Sequence, residues 1–402
     1  MLRYGRLFLV LAGAAALELG LHSRQSARQD VRAGRGDVPT TLLGMREYTL
    51  RHFARDFDRD YVPGTLEWIR RKMIFQANMQ HVMSMHSTPG LSWKPGVTEY
   101  MDWTEAEWQM LMGDRGARQP DPPHIASVVN STEELFTLPT EFSVIRKEHK
   151  GDLNSVVHNQ GHCGSCWAVS AITSLEGQMQ TNEELMKELG GHPRLSAQSV
   201  LSCTENPDQC GGTGGCKGAT GWLALEQIKA NGIPLEHEWP YKAEVGECMA
   251  KKFSSASVLK VGIRGYTTVP KNQLAPLKEA LVKTGGPIIV SVAASGWRTY
   301  TGGVYSDGHK GEFLLNHAVN LMGYAEQSDT NTDGYWLCKN SWGKKFGEEG
   351  YIRLLMRSGI AEEKHCGKDP DTFAGQACKN DPENGRPADP PTAEACGTCG
   401  IL

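Results

Sequence analysis

A cysteine stands directly behind a small-residue turn in Gln160-Gly161-His162-Cys163-Gly164-Ser165-Cys166-Trp167-Ala168, at what reads as the first position of an apolar helix. Unpaired backbone N–H groups and the positive end of the helix dipole favour an anion there. Cys166 is therefore placed to be a thiolate, the form that attacks carbonyl carbon. Ser165 is an N-cap residue type. Gln160, six residues upstream, has a side-chain amide that can fold back beside the Cys166 N–H to hold an oxyanion. A thiolate also needs a proton partner. His317 stands at the start of one β-like run and Asn340 at the end of another. Asn340 can accept a hydrogen bond from one imidazole nitrogen and leave the other toward sulfur, and Trp342 can shield that bond from water. A His or Asn met alone is most often structural; the set points to nucleophilic acyl transfer. Spacing by itself leaves a second chemistry open, in which Cys163 and Cys166 form a redox or metal-binding Cys-x-x-Cys pair.

The elements that must position these residues are legible around them. The cysteine helix runs to about Gln178, with apolar positions 167, 168, 171, 172 and 175 at helical spacing and small Ala168 and Ala171 for close packing. A helix start follows at Leu195-Ser196-Ala197-Gln198, then a Gly- and Cys-dense loop from Cys203 to Ala219, then a helix from about Gly221 to Ala230. From there β-like runs take over at 286–293, 317–324, 335–340 and 350–355. Helices first and strands later describe an α+β unit of two lobes, with a site between them.

The rest of the chain differs in kind. All eleven cysteines lie from residue 163 onward, the net charge is −4, and 22% of residues are charged. No basic block or aromatic–basic alternation suggests nucleic acid as a partner. At the amino terminus Arg3 and Arg6 precede an apolar run from Leu7 to about Ala16, too short to span a bilayer. Residues 1–20 therefore read as a secretory signal, leaving no membrane span after its cleavage, with an uncleaved anchor as the alternative. In that context Asn130-Ser131-Thr132 is a glycosylation sequon and the later cysteines are disulfide material. Residues 21–45 read as a disordered lead. Phe53, Phe57 and Tyr61 then form a helical stripe ended by Pro63-Gly64. A second helix after Thr65 aligns Glu67, Arg71, Phe75, Asn78, Val82 and His86 within about 100° of one another, with Glu67 and Arg71 as an i, i+4 ion pair. Alternation over 96–102 suggests a strand, followed by an acidic helix start at Glu105. A Pro-rich link at 119–123 marks a boundary.

The motifs Gln160 to Ala168, Asn316-His317-Ala318-Val319 and Lys339-Asn340-Ser341-Trp342-Gly343 resemble the papain family of cysteine proteases around its Gln, Cys, His and Asn. The segments Gly215-Cys216-Lys217-Gly218-Ala219 and Gly347-Glu348-Glu349-Gly350-Tyr351 are similar to the family's as well. Glu67, Arg71, Phe75, Asn78 and Val82 match the spacing of the inhibitory prosegment of cathepsin L-like members, with His86 where an Asn is usual. Gly96, Thr98, Tyr100 and Asp102 match a second prosegment motif, with Thr and Tyr substituted.

The resemblance implies a two-lobed papain-like fold, helical in the left lobe and β-barrel-like in the right, preceded by a helical prosegment. It implies an inhibitory prosegment at 46–108 that lays its tail through the cleft, a linker and activation region at 109–137, and a peptidase domain at 138–402 with a Cys-rich extension at 359–402. It implies disulfides Cys163–Cys216 and Cys203–Cys248. It also implies substrate-binding positions at Gly218, Ala219, Gly221, Ser291, Leu315 and Trp342; the pocket positions near Gly221, Ser291 and Leu315 are uncharged, so an apolar substrate residue is expected.

Three departures stand out. Val144-Ile145-Arg146 replaces a common Asp-Trp-Arg, Ala219 replaces a rim glycine, and both His365-Cys366-Gly367 and Cys399-Gly400-Ile401-Leu402 resemble the family's terminal Cys-Gly. If the second is the terminal pair, the chain stops short of the strand that closes the specificity pocket.

The expectation is a monomeric cysteine endopeptidase of the secretory pathway, lysosomal, vacuolar or extracellular. It is made as a zymogen, uses no cofactor or metal, and has proteins or peptides as substrates and its own prosegment as inhibitor. Zinc held by Cys163/Cys166 with Cys396/Cys399 is disfavoured, because a zinc ribbon keeps its pairs within about 20 residues. The alternatives are a catalytically inactive papain-like binding protein and a protease inhibitor processed from the prosegment. Acidic residues in the prosegment, among them Asp56, Asp58, Asp60 and Asp102, suggest that acid loosens it.

Overall fold

The computed structural model describes residues 38–113, 137–145, 152, 155–251, 260–308, 311–328, 333–372, 378–379 and 390–402. The signal segment, the Pro-rich link and Asn130 lie outside these.

The cysteine helix Cys166–Met179 forms the spine of the left lobe, and almost every side chain on it is buried. Its small residues let Gly221–Asn231 and Ala197–Cys203 pack against it around a core of Ala168, Ile172, Val200, Ala224 and Ile228. Ser196 caps the latter helix by accepting from Ser199 N at 3.1 Å. Ser165 occupies the N-cap position of the cysteine helix but makes no side-chain cap bond; its hydroxyl is engaged elsewhere, as described below.

The right lobe is a seven-stranded sheet in the order Trp93–Pro95, Tyr300–Tyr305, Tyr351–Leu355, Tyr335–Lys339, His317–Ala325, Glu141–Ser143, with Ile288–Val292 pairing along the same side of His317–Ala325 as Glu141–Ser143. The sheet is open rather than barrel-like, because its path runs from one edge strand to another without closing. His317–Ala325 is buried along its whole length, and Leu321, Trp336, Ile352 and Leu354 fill the core on which the sheet rests. Helix Leu274–Thr284, which the sequence reading did not single out, covers the sheet and ends on Gly285 in the left-handed conformation.

The amino-terminal unit has its own core of Met45, Phe53, Phe75, Met79, Val82 and Met101. Its long helix Leu66–His86 starts where expected, with Thr65 accepting from Trp68 N at 3.2 Å. Three expectations are corrected. Helix Leu42–Glu47 begins inside the stretch read as lead. The Phe53–Phe57–Tyr61 stripe breaks, because the helix ends at Asp56 and Asp58 takes a positive φ of 53°. Tyr61 instead donates to Asp102 at 2.7 Å. The segment 96–102 is not a strand: the strand is Trp93–Pro95, and 99–102 turn so that buried Asp102 meets Arg59 at 2.9 Å.

Strand Trp93–Pro95 adds antiparallel to Tyr300–Tyr305, so the amino-terminal unit extends the right-lobe sheet. A Cβ at Gly303 would lie 2.8 Å from Trp93 Cα, so this pairing needs a glycine.

Among the described residues four disulfides form: Cys163–Cys216, Cys203–Cys248, Cys210–Cys378 and Cys366–Cys396. The first two are the pairs the family resemblance implied. The third ties the carboxy-terminal extension to the left lobe, and the fourth staples the hairpin of Cys366–Asp369 with Ala393–Cys396. The chain then returns to the right lobe. Ala293 N donates to Cys399 O at 2.9 Å, and Cys399 and Ile401 join the core. Both candidate terminal Cys-Gly pairs thus end up in the right lobe, Cys366 in a disulfide and Cys399 as a buried thiol. Cys338 is likewise buried in its strand, and burial pushes both thiols far up. Cys163 and Cys396 are consumed in disulfides, so the zinc reading does not stand. Among the described residues no helix is long and apolar enough to cross a membrane.

Candidate active site

Antiparallel pairing of His317–Ala325 with Tyr335–Lys339 sets Asn320 opposite Lys339. The start of the first strand therefore lies beside the residues that follow the second. This register brings together His317, Asn340 and Trp342, which are far apart in the chain. His317 Nε2 lies 2.7 Å from Asn340 Oδ1, and the Trp342 ring stacks on the imidazole with centroids 4.7 Å apart. The Asn340 oxygen also accepts from Ser341 N at 2.7 Å. Because Asn340 Oδ1 accepts, Nε2 carries the hydrogen and Nδ1 of the neutral ring is left with a lone pair. That Nδ1 is buried and has no hydrogen-bond partner among the described residues. Burial lowers the imidazole's proton affinity, to a pKa of about 4, with the Asn340 bond opposing the shift.

The two lobes meet where Ala318 N points to Cys166 Sγ at 3.5 Å. The sulfur is thus one residue from the imidazole, at the amino end of its helix. Gln160 is fully buried and held from several sides. Its Oε1 accepts from Ser341 Oγ at 2.5 Å, and its N–H donates to Ser341 O at 2.8 Å. Its amide Nε2 donates to Cys163 O and to Leu111 O, each at 2.8 Å.

The Leu111 contact is decisive for the state of the molecule. The donor read from sequence as an oxyanion holder is occupied by a carbonyl of the amino-terminal unit. Two residues on, Gly113 O accepts from Ala219 N at 3.1 Å. A Cβ on Gly113 would come within 1.9 Å of Gly164 O, so the two backbones touch. Trp108 packs edge-on to Trp342 with centroids 5.0 Å apart and donates to Ser295 O, and Trp103 stacks on His162 at 4.5 Å. The covering segment therefore continues to Gly113, past the end at 108 expected from sequence and into the stretch read as linker.

The remaining expected positions have the following surroundings. Gly218 has φ 92°, and buried Ala219 follows it and donates its N–H to Gly113 O. Gly221 opens its helix against Ile289, where a Cβ would lie 3.1 Å from Ile289 Cγ2. Ser291 pairs with Ala318 in the sheet. Leu315 packs with Phe313 and Ala395, and a Cβ on Gly400 would meet Leu315 Cδ2 at 2.7 Å. The carboxy-terminal turn thus lies against the apolar position, which the sequence could not place. Sequence reasoning missed the roles of Leu111, Gly113, Ser341 and Tyr241, whose hydroxyl donates to Gln160 O. Three of these act through backbone or hydroxyl groups that carry no pattern; Ser341 lies within the Asn340 motif, and its role could have been found there.

A model of the family described as "Papain family cysteine protease" matches residues 138–374. Rat procathepsin L is 32% identical, over 76% of this chain and 85% of its own length. The senescence-specific cysteine protease SAG12 of Arabidopsis thaliana is 31% identical, over 71% and 77%. Among solved structures, digestive procathepsin L 3 from the larval midgut of Tenebrio molitor superposes with a TM-score of 0.62 at 26% identity, covering 79% of this chain and 95% of that one. A recombinant stem bromelain precursor gives 0.61 at 29%, covering 79% and 93%.

Proposed function

Because this chain belongs to the papain family of cysteine proteases, we propose that Cys166 and His317 carry its endopeptidase activity and that residues 38–113 hold it shut as a prosegment. The chain is a cysteine endopeptidase made as a zymogen. The observation that supports these residue roles best is the convergence of Cys166 Sγ, at a helix amino end and 3.5 Å from Ala318 N, with an imidazole whose far nitrogen is fixed by Asn340 at 2.7 Å.

In the opened enzyme His317 Nδ1 takes the Cys166 proton, and the thiolate adds to the substrate carbonyl. The carbonyl π electrons move onto oxygen, where the Gln160 amide and the Cys166 N–H receive the negative charge in the place Leu111 O now takes. As the oxyanion collapses, the C–N bond breaks and the imidazolium gives its proton to the leaving amine. Water then attacks the thioester with His317 as base, releasing the acid and restoring the thiol. Asn340 holds the ring in one tautomer, and Trp342 keeps water from their bond. Gly218 and Ala219 align substrate backbone, and the surface around Gly221, Ser291 and Leu315 takes an apolar side chain.

The reading extends to the secretory pathway, with a lysosomal, vacuolar or extracellular destination; it rests on the amino-terminal charge and hydropathy pattern and on a disulfide set that needs an oxidising compartment. Incubating the purified proform at about pH 4.5 with a thiol-reactive epoxide and mapping the adduct tests the assignment. The expected result is a single adduct on Cys166, on a chain shortened to begin between about residues 114 and 140. Labelling at Cys338 or Cys399, or none at all, would overturn it.

A further inference from the structure

Tyr241 belongs to no motif read from the sequence, yet its phenol reaches into the turn that carries the reacting groups. Its hydroxyl donates to Gln160 O at 2.9 Å, and its oxygen lies 2.5 Å from Ser165 Oγ. A phenol has one hydrogen to give, so with that hydrogen on Gln160 it accepts from the serine. This explains why Ser165, in the N-cap position, does not cap the helix. Its hydroxyl is turned to Tyr241 and away from the first N–H groups of the cysteine helix. The tyrosine is fixed in turn, since its own N–H donates to Glu236 Oε1 at 3.1 Å. Burial pushes the phenol up to about 12, so it remains a donor across the working pH range.

The two contacts sit at opposite ends of one short turn. Gln160 lies at one end and supplies the side-chain amide; Ser165 lies at the other and precedes the Cys166 N–H. Ser341 holds Gln160 from the right lobe, and Tyr241 holds it from the left.

We infer that Tyr241 is a positioning residue for the oxyanion site: one hydroxyl, shared between the Gln160 carbonyl and the Ser165 hydroxyl, sets the separation of the Gln160 amide from the Cys166 N–H. This rests on the reading of Gln160 as an oxyanion donor. Tyr241 touches no reacting atom, so its effect passes entirely through geometry. Without the hydroxyl, Gln160 O loses a buried donor. Ser165 Oγ becomes able to swing back and accept from the helix N–H groups, competing with the oxyanion.

The test is Tyr241→Phe in mature enzyme produced from the full chain, with three readouts. A peptide substrate, through its tetrahedral intermediate, and a peptide aldehyde, through its hemithioacetal, both place a tetrahedral oxygen in the site. Iodoacetamide is attacked by the same thiolate at a saturated carbon and places none. The substitution is expected to lower kcat about tenfold at constant KM, less than the roughly 100- to 1000-fold for removing an oxyanion donor outright. It should raise the aldehyde Ki by the same factor of about ten and leave the alkylation rate and its pH profile unchanged. Unchanged kcat and aldehyde affinity would overturn the inference, as would an equal fall in alkylation, which would mark a general structural role. Should Tyr241→Phe not fold, Ser165→Ala removes one of the two contacts and must shift kcat and aldehyde affinity together in the same direction. Gln160→Ala separates the two levels: if it leaves aldehyde affinity intact, the oxyanion reading of Gln160 fails; if it weakens aldehyde binding and Tyr241→Phe does not, Tyr241 alone is excluded.

Discussion

Lowering the pH of the proenzyme from about 6.5 to about 4.5 should open the cleft about 40-fold more often, with His317 as the main sensor. In the covered state burial holds its pKa near 4, against an ordinary 6.5. An opened cleft hydrates the ring and returns it toward that ordinary value. Between the two values the open form binds a proton that the covered form does not, so the covered form loses stability as pH falls from 6.5 to 4; below 4 both are protonated and the loss stops growing. Because the open ring is already half protonated at pH 6.5 and the covered ring begins to protonate near 4.5, the two pH units give about 2.2 kcal/mol, a factor of about 40. Carboxylates held by a cation respond differently: Arg55 holds Asp56, one of the acidic groups first suspected, below its ordinary range. Two bonds from Arg71 hold the Glu107 carboxyl down at about 2. A depressed carboxylate contributes its stability above the ordinary 4.5 and loses it as pH falls through about 2, so this pair remains largely intact at pH 4.5. The assay is amide hydrogen exchange at Ala219, whose N–H is bonded to Gly113 O, in a Cys166→Ala proenzyme, corrected for intrinsic exchange. A protection factor unchanged between the two pH values, or one that falls equally when His317→Gln is added, would refute the reasoning.

Two further outcomes follow from the same contacts. Gly113→Ala puts a methyl within 1.9 Å of Gly164 O and should lift the segment from the cleft; epoxide labelling of the proform at neutral pH is expected to rise at least about tenfold, while the melting of the amino-terminal unit stays unchanged. Arg71→Ala removes the partner of Glu67 and Glu107 and a donor to Asp102 O. Discounted for partial exposure, this should destabilise the amino-terminal unit by about 1–3 kcal/mol, read as a lower midpoint of its thermal transition, with the kcat of mature enzyme unaffected.

The local chemistry and much of the secondary structure were legible in the sequence, because both depend on near neighbours. A cysteine behind Gly164-Ser165 at the head of an apolar, small-residue run says thiolate at a helix amino end without any tertiary information, and the helix runs over Cys166–Met179. Thr65 and Ser196 announced their helices as caps do. His317 and Asn340 could be proposed as partners only as a set, since what joins them is the register of two strands, and register is decided by which faces are buried.

Where long-range contacts compete with local pattern, the tertiary structure decided. The alternation at 96–102 gave way to a turn, because placing Asp102 against Arg59 and Tyr61 satisfies a buried carboxylate that a strand would leave unpaired. Ser165 gave up its cap for Tyr241 for a similar reason. The pairing Cys210–Cys378 joins residues far apart in sequence, and spacing alone does not choose among possible partners. That Leu111 O fills the Gln160 donor, and that the blocking segment reaches Gly113, depends on two backbones touching at glycines 113 and 164. No side-chain pattern records such a contact, because glycine contributes to it by having no side chain at all.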